Sequence, residues 1–240
     1  MTNNGEGVLN CLKAWWLREI GWPWAVDMGT TSAPIHERTQ PAVENVSRYK
    51  IWIDGVGAYL VCLGPRVSIG GPRYDSNAAD VPLLANLSRR HATFVRGGEG
   101  YFLEAHGPVK VADRAVEEAA PLSNNYTIEL AGSVRLRFRL PSVLSATAVL
   151  DFVSDHRPPQ SVDGVVLMDE TCLLGPGRDN HIRCLDWSES VLLYRKEGRF
   201  CCKSQTPLLI DGMIVKDGAP MEPGDVVSGL DMRFRIEEVD

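Results

Sequence analysis

The chain has 240 residues, 44% of them hydrophobic and 23% charged, with a formal net charge of −6. That length holds one or two cores of ordinary size, and the composition fits a folded soluble protein, neither disordered nor built around spanning helices. The charge is uneven: residues 49–141 carry 11 Lys+Arg against 9 Asp+Glu, a net of +2, whereas residues 163–240 carry 9 against 15, a net of −6. An anion site therefore belongs to the first half, and the absence of a Lys/Arg stripe with interleaved aromatics argues against nucleic acid.

Residues 1–48 differ from the rest. Trp15, Trp16, Trp22 and Trp24 lie within ten positions. Val8 to Leu17 predicts a short amphipathic helix ended by Gly21-Trp22-Pro23-Trp24, and Thr30 to Val46 reads as a polar linker. Lys13, Arg18, Glu19 and Asp27 interrupt the stretch, so neither a signal peptide nor a spanning helix is expected. This arm is expected to pack across a sheet or to dock on a protein partner. A membrane is the poorer partner, because the positive face that anionic lipid requires is missing.

From Tyr49 the sequence turns into short extended runs between turn residues, with no helical period. Lys50-Ile51-Trp52-Ile53 breaks at Asp54-Gly55, a hairpin signal, and Ala58 to Leu63 returns. Val67–Ile69, Val81–Leu84, His91–Val95, Tyr101–Leu103, Val109–Val111, Tyr126–Leu130, Val134–Leu140 and Ala148–Val153 follow as strands. Arg157-Pro158-Pro159-Gln160 is the expected hinge between two halves. The second half echoes the first: Asp163-Gly164-Val165 echoes Asp54-Gly55-Val56, Leu173 to Arg178 echoes Ser68 to Arg73, Glu197-Gly198-Arg199-Phe200 echoes Glu99-Gly100-Tyr101-Phe102, and Ile210 to Val215 echoes Val111 to Val116. The organisation expected is an arm over 1–48, one β-sandwich over 49–155 and another over 156–240.

The six cysteines, at positions 11, 62, 172, 184, 201 and 202, form no C-x-x-C pair and no metal spacing with histidine. They are expected to be free, buried thiols of a cytoplasmic, reducing compartment. No metal, cofactor or catalytic motif is apparent: G-x-x-x-x-G-K, G-x-S-x-G and H-E-x-x-H are all missing. A non-catalytic protein is expected.

One pattern points to chemistry. Val67-Ser68-Ile69-Gly70-Gly71 ends on two glycines, and Ser88-Arg89-Arg90-His91 follows before the apolar run Ala92 to Val95. The pair resembles the signature of the forkhead-associated (FHA) domain, a β-sandwich that binds phosphothreonine peptides. A serine hydroxyl and guanidinium groups on one loop are the donors a phosphate dianion asks for. The resemblance matches Gly70, the acidic pair Asp80-Val81, Ser88 and His91 in the first half. In the second it matches Gly175, with His181-Ile182 for the acidic pair, Asp211-Gly212 for Asn-Gly, and Met221-Glu222-Pro223-Gly224-Asp225 for the late turn. It departs at two places that matter: Gly71 and Pro176 stand where the family has its phosphate-binding arginine, and Ala112 stands where the ligand-gripping asparagine is placed. Arg73 and Arg178, two residues on, are the available substitutes.

The resemblance thus implies two tandem FHA-like sandwiches, the second degenerate because Trp187-Ser188-Glu189-Ser190 replaces Ser88-Arg89-Arg90-His91. Candidate phosphopeptide contacts are Ser88, Arg89, Arg90 and Arg73; Gly70, His91 and Gly175 are expected to be structural. The function implied is protein–protein interaction, with phosphothreonine read by the first sandwich. The alternative is a scaffold that assembles without reading phosphate, through its sheets or its arm.

Overall fold

The computed structural model describes residues 46–72, 78–98, 100–215 and 218–239. The amphipathic helix and tryptophan-rich arm expected at the N-terminus, and Arg73, lie outside the described residues. Within them the chain is all-β, as its alternating pattern predicts.

The first half contributes β1 (Ser47–Ile53), β2 (Gly57–Leu63), β3 (Arg66–Gly70), β4 (Val81–Pro82), β5 (Ala92–Gly97), β6 (Gly100–Ala105), β7 (Val109–Val111), β8 (Arg114–Val116), β9 (Ala119–Leu122), β10 (Thr127–Leu130), β11 (Val134–Arg139) and β12 (Ala148–Phe152). The second contributes β13 (Gly164–Met168), β14 (Thr171–Gly175), β15 (Ile182–Arg183), β16 (Val191–Lys196), β17 (Arg199–Lys203), β18 (Leu208–Ile210), β19 (Met213–Val215), β20 (Ala219–Met221), β21 (Val226–Ser228) and β22 (Arg233–Glu238).

Two five-stranded sheets, β4-β3-β5-β6-β9 and β15-β14-β16-β17-β20, have the same strand order. They pack on opposite faces of one twelve-stranded sheet, β19-β18-β21-β22-β1-β2-β13-β12-β11-β10-β7-β8. The faces follow from alternation along the two central strands. Leu60, Cys62, Val165 and Leu167 point into the first core, beside Phe94, Leu103 and Phe138. Val61, Leu63, Val166 and Met168 point into the second, beside Leu174, Leu193 and Phe234. Buried on both sides, β2 and β13 need the unbroken apolar runs that they have. They pair in parallel, Gly164 with Tyr59 through Met168 with Leu63. A parallel pair whose two faces serve different cores has a pseudo-twofold axis along the strands, and the strand order read from either end of the sheet agrees with it.

One consequence was invisible in the sequence. The hairpin β1–β2 leads directly into β3 of the first sandwich, yet β1 pairs with β22, the last strand of the second, and Ile51 and Ile53 fill the second core. Reciprocally, β12 pairs with β11 and sends Ala148 and Leu150 into the first core. The two sandwiches have exchanged their first strands, and each core draws on both sides of residue 155. The segment expected to be a hinge is instead the packed connection between β12 and β13: Pro158 is buried, and the Gln160 carbonyl accepts from Lys50 Nζ at 2.6 Å.

The registers test the repeat residue by residue. Ile69 opposes Val81 and Ala92, as Leu174 opposes Ile182 and Val191. Gly70 therefore corresponds to Gly175, Asp80 to His181, and Ser88–His91 to Trp187–Ser190, as the sequence suggests. Two echoes are displaced. Phe200 corresponds to Tyr101, not Phe102, by its pairing with Met221 where Tyr101 pairs with Leu122. Asp163-Gly164 enters β13, whereas Asp54-Gly55 is the β1–β2 turn. Glycine is required at 164 because an added Cβ would lie 2.9 Å from the Tyr59 ring.

Candidate functional site

The loop carrying Ser88, Arg89 and Arg90 joins β4 to β5 and is exposed. It is clamped from below by the end of β3. The Gly71 amide donates to Ser88 O at 2.9 Å, the Leu83 amide to Gly70 O at 2.8 Å, and the His91 amide to Ile69 O at 2.8 Å. Gly70 lacks a side chain because an added Cβ would overlap the Arg89 carbonyl, and at Gly71 it would lie 2.5 Å from Leu87 O. Gly70 thus makes no sharp turn: it ends an extended strand, and close backbone approach excludes a Cβ.

His91, 2% exposed, braces the loop from inside. Its Nε2 lies 3.0 Å from the Pro108 carbonyl, which only accepts, so that nitrogen carries the proton. Nδ1 is then the acceptor, 3.0 Å from Ser88 Oγ and 3.4 Å from the Ser88 amide. Gly107 lies flush against the ring; a Cβ there would stand 2.5 Å from His91 Cε1. Next to it, His106 Nε2 and Thr93 Oγ1 are 2.9 Å apart. Sequence reading missed His106 and Gly107, which carry no motif of their own and reach the loop only through the β6–β7 connection.

The arrangement suits an anion. Arg89 and Arg90 are exposed, and neither guanidinium has an ion-pair or side-chain hydrogen-bond partner among the described residues. The Ser88 hydroxyl can turn from His91 toward an incoming oxyanion, because the Ser88 amide stays on Nδ1. Asp80 serves the framework: its Oδ2 accepts from the Ser68 amide at 2.7 Å and from the Ser68 hydroxyl. Ala112 and Asp113, with φ of 47° and 63°, form the two-residue turn between β7 and β8.

The equivalent place in the second sandwich is closed. Glu189, standing where Arg90 stands in the first, accepts from the Gln205 amide at 3.0 Å, the Thr206 amide at 3.2 Å and the Thr206 hydroxyl. Trp187 is buried in the core at the position of Ser88. His181 does the work of Asp80: its Nδ1 accepts from the Leu173 amide at 2.9 Å. Burial, with Arg139 nearby, lowers the His181 pKa to about 4. Gly175, at φ 153°, leaves room for the 2.8 Å bond between Asn180 Nδ2 and Ser190 Oγ.

Five cysteines, Cys62, Cys172, Cys184, Cys201 and Cys202, are free and buried. Burial raises the thiol pKa of Cys62 and Cys172, and pushes Cys184 and Cys202 up to about 12. Among the described residues no group of three or more His, Cys, Asp or Glu is placed to hold a metal.

No family model matches the chain, and no curated protein does. Solved structures do. The FHA domain of the CT664 protein from Chlamydia trachomatis is 24% identical with a TM-score of 0.27, covering 36% of this chain and 91% of that one. The FHA-2 domain of the Mycobacterium tuberculosis ABC transporter Rv1747 is 18% identical with a TM-score of 0.29, covering 56% and 97%. The N-terminal FHA domain of EssC, a component of the bacterial Type VII secretion apparatus, is 14% identical with a TM-score of 0.22, covering 80% and 92%. All three likenesses are to FHA domains.

Proposed function

We propose that this chain is a non-catalytic protein-interaction module whose first sandwich takes a phosphothreonine-containing peptide on the β4–β5 loop. The observation that carries the reading is the pair of exposed guanidinium groups of Arg89 and Arg90, without an ion-pair partner among the described residues, set beside a Ser88 hydroxyl that the buried His91 holds in place. Ser88 donates to the phosphate and the arginines supply charge; Arg73 is the further candidate cation. The second sandwich is the degenerate partner, its corresponding loop satisfied by its own Glu189 carboxylate. Five free, buried thiols support a reducing, cytoplasmic setting.

Affinity is expected to be weak, because Gly71 holds the place of the family's arginine. A phosphothreonine peptide library titrated against the full chain, with Ser88→Ala and Arg89→Ala/Arg90→Ala beside it, tests the reading. A hydrogen bond to a charged group contributes about 1.5–3 kcal/mol, so Ser88→Ala should weaken binding at least about tenfold. Equal binding of unphosphorylated peptides, or no binding below roughly millimolar concentration (about −4 kcal/mol), would leave assembly without phosphate as the function.

A further inference from the structure

The β4–β5 loop does not stand on the first sandwich alone. Its opening part turns tightly, with the Ala85 amide 2.7 Å from Leu83 O and the Leu87 amide 2.9 Å from Ala85 O. Those bonds are internal and fix no position relative to the sheet. Beyond the clamps to β3 at Leu83, Ser88 and His91, this part of the loop is held by the connection between the exchanged strands: the Leu84 amide donates to Arg157 O at 2.9 Å.

That connection is rigidly seated. Arg157 folds back so that Nη1 donates to Ser154 O at 2.5 Å and His156 O at 3.0 Å, with its guanidinium carbon 4.9 Å above the Phe152 ring. Ser154 Oγ in turn accepts from the Arg135 amide of β11 at 3.0 Å. Further along, Gln160 O holds Lys50, Val162 enters the first core, and Asp163 Oδ2 accepts from the Ala58 amide at 2.9 Å. The segment is thereby anchored to β11 before Arg157 and to β1 and β2 after it.

We infer that the β12–β13 connection is a positioning element of the anion-binding loop, with Arg157 the positioning residue. The inference rests on the function proposed above, and it adds that the stretch leading into Ser88 is positioned by chain from beyond β12, in addition to the β3 and His91 contacts of Ser88 itself. Arg157 side-chain contacts shape the turn whose carbonyl fixes Leu84, and Leu84 is four residues from Ser88. Rigidity there is what converts a hydroxyl and two arginines into a preorganised site.

The test uses the full chain as wild type, Arg157→Ala and Arg157→Lys, the lysine keeping one donor for the turn carbonyls. Two readouts are taken: hydrogen exchange of the amides of residues 84–91 without ligand, and affinity for a phosphothreonine peptide. Loss of one ordinary hydrogen bond corresponds to about a fivefold change. Arg157→Ala should speed exchange at Leu84 and Ser88 and weaken the peptide about fivefold, with β16–β17 exchange unchanged and partial rescue by lysine. Unchanged exchange in residues 84–91, or freed exchange with unaltered affinity, overturns the inference. Freed exchange in a chain whose wild type binds no phosphopeptide upholds the positioning of the loop and refutes the binding reading instead.

Discussion

Strand exchange makes a prediction that a simple tandem of sandwiches reverses. Ile51 lies on β1, fifteen residues before Arg66, where β3 of the first sandwich begins, yet it is fully buried in the second core and pairs with Ile236 of β22. Truncating a buried isoleucine to alanine costs about 2–5 kcal/mol. Ile51 is flanked by β2 and β22 in the middle of a sheet, where collapse around a void is restricted, so a value near 3 kcal/mol is expected. Three kcal/mol corresponds to an opening equilibrium shifted on the order of 100-fold. Hydrogen exchange with peptide resolution reads it: in Ile51→Ala, peptides covering β14, β16, β17, β21 and β22 should lose protection by that factor. Loss confined to peptides between β3 and β11, with residues 164–238 unaffected, would refute the exchange.

Other expectations follow from single residues. Gly70→Ala should lower stability by about 1–3 kcal/mol, since its Cβ meets a backbone carbonyl that cannot rotate away, and thermal unfolding would show a drop of several degrees. Below neutrality, His181 should destabilise the fold. Its pKa is about 4 when folded against 6.5 unfolded, so the unfolded chain binds a proton that the native chain refuses, and stability falls as pH drops from about 6.5 to about 4. The full loss is about 3 kcal/mol, measurable by urea unfolding across that range; His181→Asn, which keeps an acceptor for the Leu173 amide, should flatten the profile, and an unchanged slope would contradict the assignment. In a Cys11→Ser background, a thiol reagent at pH 8 should label none of the five buried cysteines until the chain unfolds.

Much of the fold was legible because strands announce themselves by alternation. Val134 to Leu140 reads as a half-buried strand, and β11 covers Val134–Arg139 with every second residue buried. The late turn was also legible: Asn125 takes φ 67° where Gly224 takes φ 108° in the second half, which explains how asparagine replaces glycine there. Partnership was not legible. Lys50-Ile51-Trp52-Ile53 on β1 and Val149-Leu150-Asp151-Phe152 on β12 are both short, largely apolar runs, so either could complete either sheet, and choosing between them takes three dimensions. The short β8 and β9 escaped because Arg114–Val116 and Ala119–Leu122 are largely exposed and carry little apolar pattern.

The site divides the same way. Ser88, Arg89, Arg90 and His91 form one contiguous motif, and the register places their counterparts at Trp187–Ser190. His106, Gly107 and Arg157 were not found, because each reaches the loop across a fold that the spacing of residues does not encode. Gly107 carries no sequence signal of its own; its requirement is the His91 ring pressed against its Cα.

The central claim, that the Ser88 loop receives a phosphorylated threonine, is tested most directly by amide chemical shifts of the full chain as phosphothreonine peptide is added. The account predicts perturbations that saturate and centre on Ser88, Arg89, Arg90, His91 and Gly107, with none at Trp187–Ser190, and that vanish when the phosphate is removed from the peptide. Shifts centred elsewhere, or the same shifts with the unphosphorylated peptide, would contradict it.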